Sequence, residues 1–291
     1  MKISNNEFHE ERALFRAQGI SLSGCRFDTG ESPLKESRDI TIKDTVFDWK
    51  YPLWYSKNIE MTDSLVDKGG RAGIWYTDNI KMMDSDVNAP KNFRRCSNVE
   101  FLRGSFPDAQ ETLWECSKVR LYEVEAAGDY FAMNCEDIEA EVLTLNGNYG
   151  FDGCRKVTVR NSVLNTKDAF WNCENVTVYD SKITGEYFGW NSKNLTLINC
   201  EISSLQGFCY IDGLVMKDCR CEDTSLAFEY SNALDIRLSS VIKSVLNPGS
   251  GRIECEYIGN LIKSEQEKGQ GADIVCKEIR KTSDEVDWDE V

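Results

Sequence analysis

Branched aliphatic residues recur along this chain at intervals of about nineteen, each followed two places on by a second apolar residue with a polar one between. The first column reads Ile40, Ile59, Ile80, Val99, Val119, Ile138, Val157, Val176, Leu195, Leu214 and Leu234. The second reads Ile42, Met61, Met82, Phe101, Leu121, Ala140, Val159, Val178, Leu197, Met216 and Ile236. Such alternation is the period of a strand with one buried face, and no unit carries the 3.6 period of a helix. A further short apolar run follows (Phe47, Val66, Val87, Leu145, Leu164, Ile183, Ile202), and a third, richer in aromatics, closes the unit as PLWY, GIWY, TLWE, AFWN, FGWN or GFCY. The repeat is most legible from Cys154 to Tyr210, where three units read CRKVTVRNSVLNTKDAFWN, CENVTVYDSKITGEYFGWN and SKNLTLINCEISSLQGFCY. A fixed period near twenty means one supersecondary unit stacked on copies of itself. Three short strands in each coil predict an all-β solenoid of the single-stranded parallel β-helix kind. Unit starts at Ser37, Ser56, Thr77, Cys96, Cys116, Cys135, Cys154, Cys173, Ser192, Ile211 and Ser231 predict about 11–12 coils, and a rod of about 55 Å at the usual strand spacing.

Two residues after many starts stands Asn or Asp: Asp39, Asn58, Asn79, Asn98, Asp137, Asn175, Asn194. Stacked side chains of this kind hydrogen-bond along a ladder and satisfy turn backbone, so the column is read as structural. The segments GESPLK, YPLWY, RAGIWY, KDAFWN and GEYFGWNSKNLTLINC are similar to those of an uncharacterised bacterial family of domains of unknown function. The resemblance covers roughly residues 8 to 265 and implies a right-handed β-helix of the pectin-lyase-like kind. It implies a fold and no reaction.

A solenoid grows by adding coils, so 291 residues are compatible with one continuous domain over 1–265. Within it, residues 1–19 are expected to cap the first coil, 37–250 to form the regular coils, and 266–291 to add an irregular strand and an acidic tail. The N-terminus lacks a basic start with an apolar core, and no apolar run approaches a membrane span, which points to a soluble, cytoplasmic protein. Twelve cysteines, five of them in one repeat column, read as reduced, small, buried residues of a reducing compartment. Lys and Arg number 34 against 49 Asp and Glu, a net charge of −15, which argues against nucleic acid and anionic membranes as partners. Homo-oligomers remain compatible with the sequence.

The column two residues before each unit's end reads Trp54, Trp75, Arg94, Trp114, Met133, Asp152, Trp171 and Trp190. If Leu53, Ile74, Phe93, Leu113, Phe151 and Phe170 point inward, this column points out and offers rigid indole surfaces to sugar rings or another planar ligand. The reversed phase would put the tryptophans in the core. Beside it lies Gly-polar-Tyr, at Gly128-Asp129-Tyr130, Gly147-Asn148-Tyr149 and Gly185-Glu186-Tyr187. Asp129, Asp152, Asp168 and Glu186 are thus candidate acid and base, because stacked coils bracket the carboxylate separations of glycoside hydrolases. The competing reading is a solvated face in which Lys167 pairs with its acidic neighbours.

The cysteine column stacks as a line rather than a tetrahedron, and C-x-x-C is absent, so no metal site is assigned. His9 is the single histidine, which weighs against Ser-His and Cys-His nucleophiles. The segment GGRAG at 69–73 lacks a strand-to-helix context and reads as an insertion lengthening its coil rather than a phosphate loop. No cofactor is called for, although a lyase would be expected to use Ca²⁺ with a nearby cation, for which Lys167 is placed. The functional expectation is a carbohydrate or similar extended ligand bound on the lateral face, with residues Trp54, Trp75, Arg94, Trp114, Trp171, Trp190, Tyr130, Tyr149 and Tyr187. The alternatives are a glycoside hydrolase or polysaccharide lyase, and an assembly module without a small ligand.

Overall fold

Every residue of the two aliphatic columns is turned inward, and none is more than 4% exposed. The computed structural model describes residues 1–267, 269 and 271–289. It is all-β, with parallel strands stacked as a solenoid of about 15 turns at roughly 19-residue spacing. Two compact units divide the chain, Met1–Gly147 and Asn148–Val291.

In the first unit the strands are β1 (Lys2–Ser4), β2 (Glu7–Phe8), β3 (Gln18–Ser23), β4 (Arg26–Phe27), β5 (Arg38–Lys43), β6 (Val46–Phe47), β7 (Lys57–Thr62), β8 (Leu65–Val66), β9 (Asp78–Val87), β10 (Ser97–Phe106), β11 (Ser117–Ala127) and β12 (Glu136–Asn146). Register follows the aliphatic column, with Ile20 facing Ile40, Ile40 facing Ile59, Ile59 facing Ile80, Ile80 facing Val99, and Val99 facing Val119. Because a slip of one residue would turn the whole buried set outward, this alignment is what the sequence pattern enforces. Phenylalanines of successive coils stack at the core's edge, Phe8 on Phe27 at 4.6 Å and Phe27 on Phe47 at 4.9 Å.

The second unit continues with β13 (Arg155–Arg160), β14 (Val163–Asn165), β15 (Glu174–Tyr179), β16 (Lys182–Gly185), β17 (Lys193–Ile198), β18 (Glu201–Leu205), β19 (Asp212–Ser225), β20 (Asn232–Leu238), β21 (Val241–Leu246), β22 (Gly251–Glu254), β23 (Tyr257–Ile262), β24 (Asp273–Val275) and β25 (Glu278–Ser283). Val157, Val176, Leu195, Leu214 and Leu234 face one another in turn.

Stacking runs further at both ends than the sequence suggested. Residues 1–19, expected to cap the first coil, carry paired strands of their own: Ile3 of β1 faces Leu22 and Phe8 of β2 faces Phe27. The short Ile3-to-Phe8 stretch lacks the longer columns of later units, which hid its repeat. Beyond residue 265 the strands are regular, not irregular, with β24 in parallel register on β22 and β25 on β23. Of the acidic tail, Glu290 and Val291 lie outside the described residues, and Val286 packs against the cluster of Leu226, Leu246 and Ile262.

The third side of each coil differs from the expected strand. It is built of tight turns whose residues alternate into the left-handed region, such as Phe93 and Arg95 at φ 54° and 52° and Leu113 and Glu115 at 59° and 53°. Only isolated bridges join Trp75 to Arg94 and Arg94 to Trp114 there. Coil-to-coil hydrogen bonds persist, among them Leu53 N to Gly73 O at 2.9 Å and Trp114 N to Phe93 O at 3.0 Å. The GGRAG insertion begins within a single 3-10 turn, Lys68–Gly70, capped by the Asp67 carboxylate.

Two columns of small polar residues hold the corners. Ser192 Oγ donates to Phe170 O at 2.6 Å and accepts from Cys173 N at 3.0 Å. Cys135 Sγ likewise donates to Leu113 O at 2.8 Å and accepts from Cys116 N at 3.2 Å. Ser, Thr and Cys interchange in the column because each supplies one short donor to a carbonyl of the coil before. The Asn column is a ladder as read, with Asn58 Nδ2 donating to Asp39 Oδ1 at 2.7 Å and Asn79 Nδ2 to Asn58 Oδ1 at 2.9 Å. Asp39, Asn58 and Asn79 sit at φ 58°, 54° and 60°, where short polar side chains are the best tolerated after glycine.

Candidate functional site

The closing turns set the phase of the aromatic column. Leu53, Ile74, Phe93, Leu113, Phe151 and Phe170 are all 0% exposed, so Trp54, Trp75, Arg94, Trp114, Trp171 and Trp190 point outward and are half-buried. They are neither core nor an open platform. In the first unit Trp54 and Trp75 stack at 5.1 Å and 8°. The Arg94 guanidinium lies over Trp75 at 4.7 Å and over Trp114 at 4.5 Å. Each ring therefore covers its neighbour's face, and a sugar ring needs such a face free. The indole N–H groups are also taken, Trp54 donating to Ala72 O at 2.6 Å, Trp75 to Lys91 O at 2.8 Å and Trp114 to Tyr130 O at 2.7 Å. Arg94 is bonded through Nη2 to Glu111 at 3.4 Å, and Glu111 also pairs with Lys91 at 3.1 Å.

The second unit is looser. Trp171 and Trp190 are 6.0 Å apart and tilted by 37°, while Tyr149 meets Trp171 edge-on at 5.7 Å and Tyr187 meets Trp190 edge-on at 6.0 Å. One coil before Trp171 the column holds Asp152 in place of a ring, and Asn172 Nδ2 donates to its carboxylate at 3.0 Å. Trp171 Nε1 donates to Tyr187 O at 2.6 Å.

Four carboxylates were expected to line one face. Asp129, with Tyr130, belongs to the first unit; Asp152, Asp168 and Glu186 belong to the second. Glu186 pairs with Lys167 at 3.2 Å, the charge compensation the sequence allowed for, and Lys167 lies over the Tyr187 ring at 5.6 Å. Asp168 behaves differently. At the nineteen-residue spacing it takes the place held by Tyr149 one coil earlier and Tyr187 one coil later, and a short side chain between two ring-bearing positions sinks beneath them. It is 1% exposed, and its Oδ2 has no hydrogen-bond partner. Burial pushes its carboxyl above the usual carboxylate range; Lys167 offsets part of this, while Glu186 and Asp152 add to it. Sequence reasoning grouped Asp168 with the other candidate carboxylates and missed its burial, for which the tyrosines at equivalent positions were the available signal.

The glycines of the Gly-polar-Tyr motif are explained by packing. A Cβ on Gly147 would lie 2.2 Å from Gly128 O, and one on Gly185 2.2 Å from Thr166 O. A groove of about 420 Å³ in the first unit is lined by Asp39, Asn58, Glu60, Asn79, Lys81 and Glu100. Its side chains pair among themselves, Lys81 with Glu100 at 3.6 Å besides the amide ladder. Among the described residues no three His, Cys, Asp or Glu side chains converge to hold a metal ion, and no helix is long and apolar enough to cross a membrane.

These features define a parallel β-solenoid whose outward aromatic columns are closed in one unit and splayed around a buried carboxyl in the other. A family described as "Protein of unknown function (DUF3737)" matches residues 1–275, and the chain belongs to it. No protein of curated function matches the sequence. Among solved structures the chain is similar to the mannuronan C-5 epimerase AlgE4 A-module of Azotobacter vinelandii, at 10% identity and a TM-score of 0.31, over 98% of this chain and 88% of that one. It is also similar to HetL, a pentapeptide repeat protein involved in heterocyst differentiation regulation from the cyanobacterium Nostoc sp. strain PCC 7120, at 9% identity and a TM-score of 0.25, over 79% of this chain and 87% of that one. A third is PfbA, a surface adhesin of Streptococcus pneumoniae, at 10% identity and a TM-score of 0.22, over 91% of this chain and 69% of that one.

Proposed function

We propose that the second unit binds an extended polyhydroxylated ligand, of the carbohydrate class, across Tyr149, Asp152, Asp168, Trp171 and Tyr187. The observation that carries this reading is Asp168, a buried carboxyl with an oxygen that nothing in the protein satisfies. A buried polar atom left unpaired costs about 1–3 kcal/mol, and a ligand hydroxyl reaching it would recover much of that. Loosely packed rings beside it supply apolar edges, and Asp152 and the Lys167–Glu186 pair supply acceptors and a donor for further hydroxyls. The first-unit ladder is left out of this reading, since Trp54 and Trp75 stack on each other and Arg94 lies over both Trp75 and Trp114. We take the setting to be the cytoplasm; the twelve free thiols support it.

Calorimetric titration with neutral, uronic-acid and amino-sugar oligosaccharides tests the reading. At least one class should bind, with W171A and D168N weakening it by about tenfold or more, equivalent to about 1.4 kcal/mol, and W114A changing it less than about twofold. Absence of heat with all three classes would overturn it.

A second reading, turnover of that ligand, is favoured by the burial of Asp168, which raises its pKa above the ordinary carboxylate value. A carboxyl that burial makes hold its proton more tightly suits the general-acid role, with a second carboxylate nearby as the base. Asp168 would donate and Asp152 would accept, because Glu186 is engaged by Lys167. Chromatography of a bound oligosaccharide after prolonged incubation, with no new product, would remove this reading and leave binding intact.

A further inference from the structure

Two thiols stand in register on neighbouring coils near the C-terminal end of the described residues, one after β22 and one after β24. Glu254 of β22 faces Val275 of β24. The next pair in that register is Cys255 and Cys276. Backbone hydrogen bonds flank it on both sides, Cys255 N to Val275 O at 3.1 Å and Lys277 N to Glu256 O at 2.9 Å. The thiols are oriented alike, each donating to the carbonyl two residues on, Cys255 Sγ to Tyr257 O at 3.7 Å and Cys276 Sγ to Glu278 O at 3.4 Å. Facing residues of neighbouring strands lie about 4.8 Å apart, inside the Cα separation a disulfide spans.

Stacked thiols alone do not distinguish this pair, because Cys116 and Cys135 also meet in register, as do Cys200 and Cys219. Access does. Cys276 is partly exposed, whereas the other eleven cysteines are buried.

We propose that Cys255 and Cys276 form a redox-controlled pair, in which a peroxide oxidises Cys276 and Cys255 resolves it to a disulfide stapling β24 to β22. The Cys276 thiolate attacks one peroxide oxygen, an S–O bond forms as the O–O bond breaks, and the displaced hydroxide leaves as water. Cys255 sulfur then attacks the sulfenic sulfur, an S–S bond forms as the S–O bond breaks, and the departing hydroxide takes the Cys255 proton. Two thiols lose two electrons, and one peroxide becomes two waters. The Cys255 thiol is held up at about 12 by its burial, with Cys276 contributing, so in the resting state it serves as the resolving partner and Cys276 as the attacking one.

The test is hydrogen peroxide treatment of the full chain, then alkylation, intact mass and peptide mapping, before and after dithiothreitol. The expected product has lost two of twelve alkylatable thiols, carries a reversible link mapped to Cys255–Cys276, and forms at least about tenfold faster than any link between buried cysteines. C276S should abolish the link with no other pair replacing it, and C255S should leave Cys276 as a sulfenic acid that a dimedone probe captures. A Cys276 that over-oxidises or joins another chain without engaging Cys255, or a link that forms equally at Cys116–Cys135, overturns the proposal.

Discussion

Asp168 shows how one side chain's meaning depends on its depth. In the folded protein its pKa is raised above the ordinary carboxylate value, chiefly because burial disfavours the charge. An acid whose folded pKa is raised contributes stability below the unfolded value and loses it as pH rises through the folded one. D168N has no proton to lose. The melting temperature of D168N relative to the native protein should therefore be higher at pH 7.5 than at pH 4, and a difference that stays constant or shrinks with pH would contradict the burial argument. Arg94 is a second case. In the sequence it interrupts a tryptophan column, and in the fold its guanidinium fills that gap between two indole faces. Nothing in the one-dimensional pattern distinguishes a residue that breaks a column from one that completes it.

At the scale of the element, the corner columns make a sharp forecast. Ser192 gives one hydrogen bond to Phe170 O and takes one from Cys173 N. S192C keeps both, and chemical denaturation should find it within about 1 kcal/mol of native. S192A leaves a buried N–H and a buried carbonyl without that partner and should cost about 1–3 kcal/mol. Equal losses in the two variants would show that the column is merely a small-residue packing requirement. The interchange of Ser, Thr and Cys was visible in the sequence as a column of starts, and its chemistry was not. The third side was misread as a strand for a related reason. Alternating inward and outward residues are compatible with an extended segment and with a turn whose residues pass through the left-handed region, and Phe93, Arg95, Leu113 and Glu115 take the second course. Asn and Asp mark such positions reliably at Asp39, Asn58 and Asn79, while Lys118 and Lys156, at φ 53° and 54°, adopt them only because neighbouring coils impose the register.

Over the whole molecule, charge is arranged coil to coil. Lys57 meets Asp78 at 3.1 Å, Arg103 meets Asp84 at 2.7 Å, Lys91 meets Glu111 at 3.1 Å and Lys182 meets Glu201 at 3.4 Å. With 34 cations against 49 anions, 49 − 34 = 15 negative charges remain in excess. Pairs in contact lie well inside the screening length of about 10 Å at 0.1 M salt, whereas the excess charges repel over longer distances. Moderate salt should therefore screen repulsion more than attraction and raise the melting temperature between about 10 mM and 0.3 M NaCl. A fall over that range would mean that the paired ladders dominate.

The repeat of apolar columns by itself determined the class of fold, the coil length and which residues face inward, because a parallel stack places like positions above one another and any slip would expose the core. It also placed Asp152, Asp168, Glu186 and the aromatic residues among the candidates, since nineteen-residue spacing is enough to group them. Only the tertiary structure decided what each of them does there. Whether an indole face is free depends on the ring one coil away, whether a carboxyl is ionised depends on how deep its neighbours leave it, and whether two thiols meet depends on a register that continues past the last recognisable repeat. Those quantities are distances between residues about a coil apart, and a pattern of residue types carries no distances.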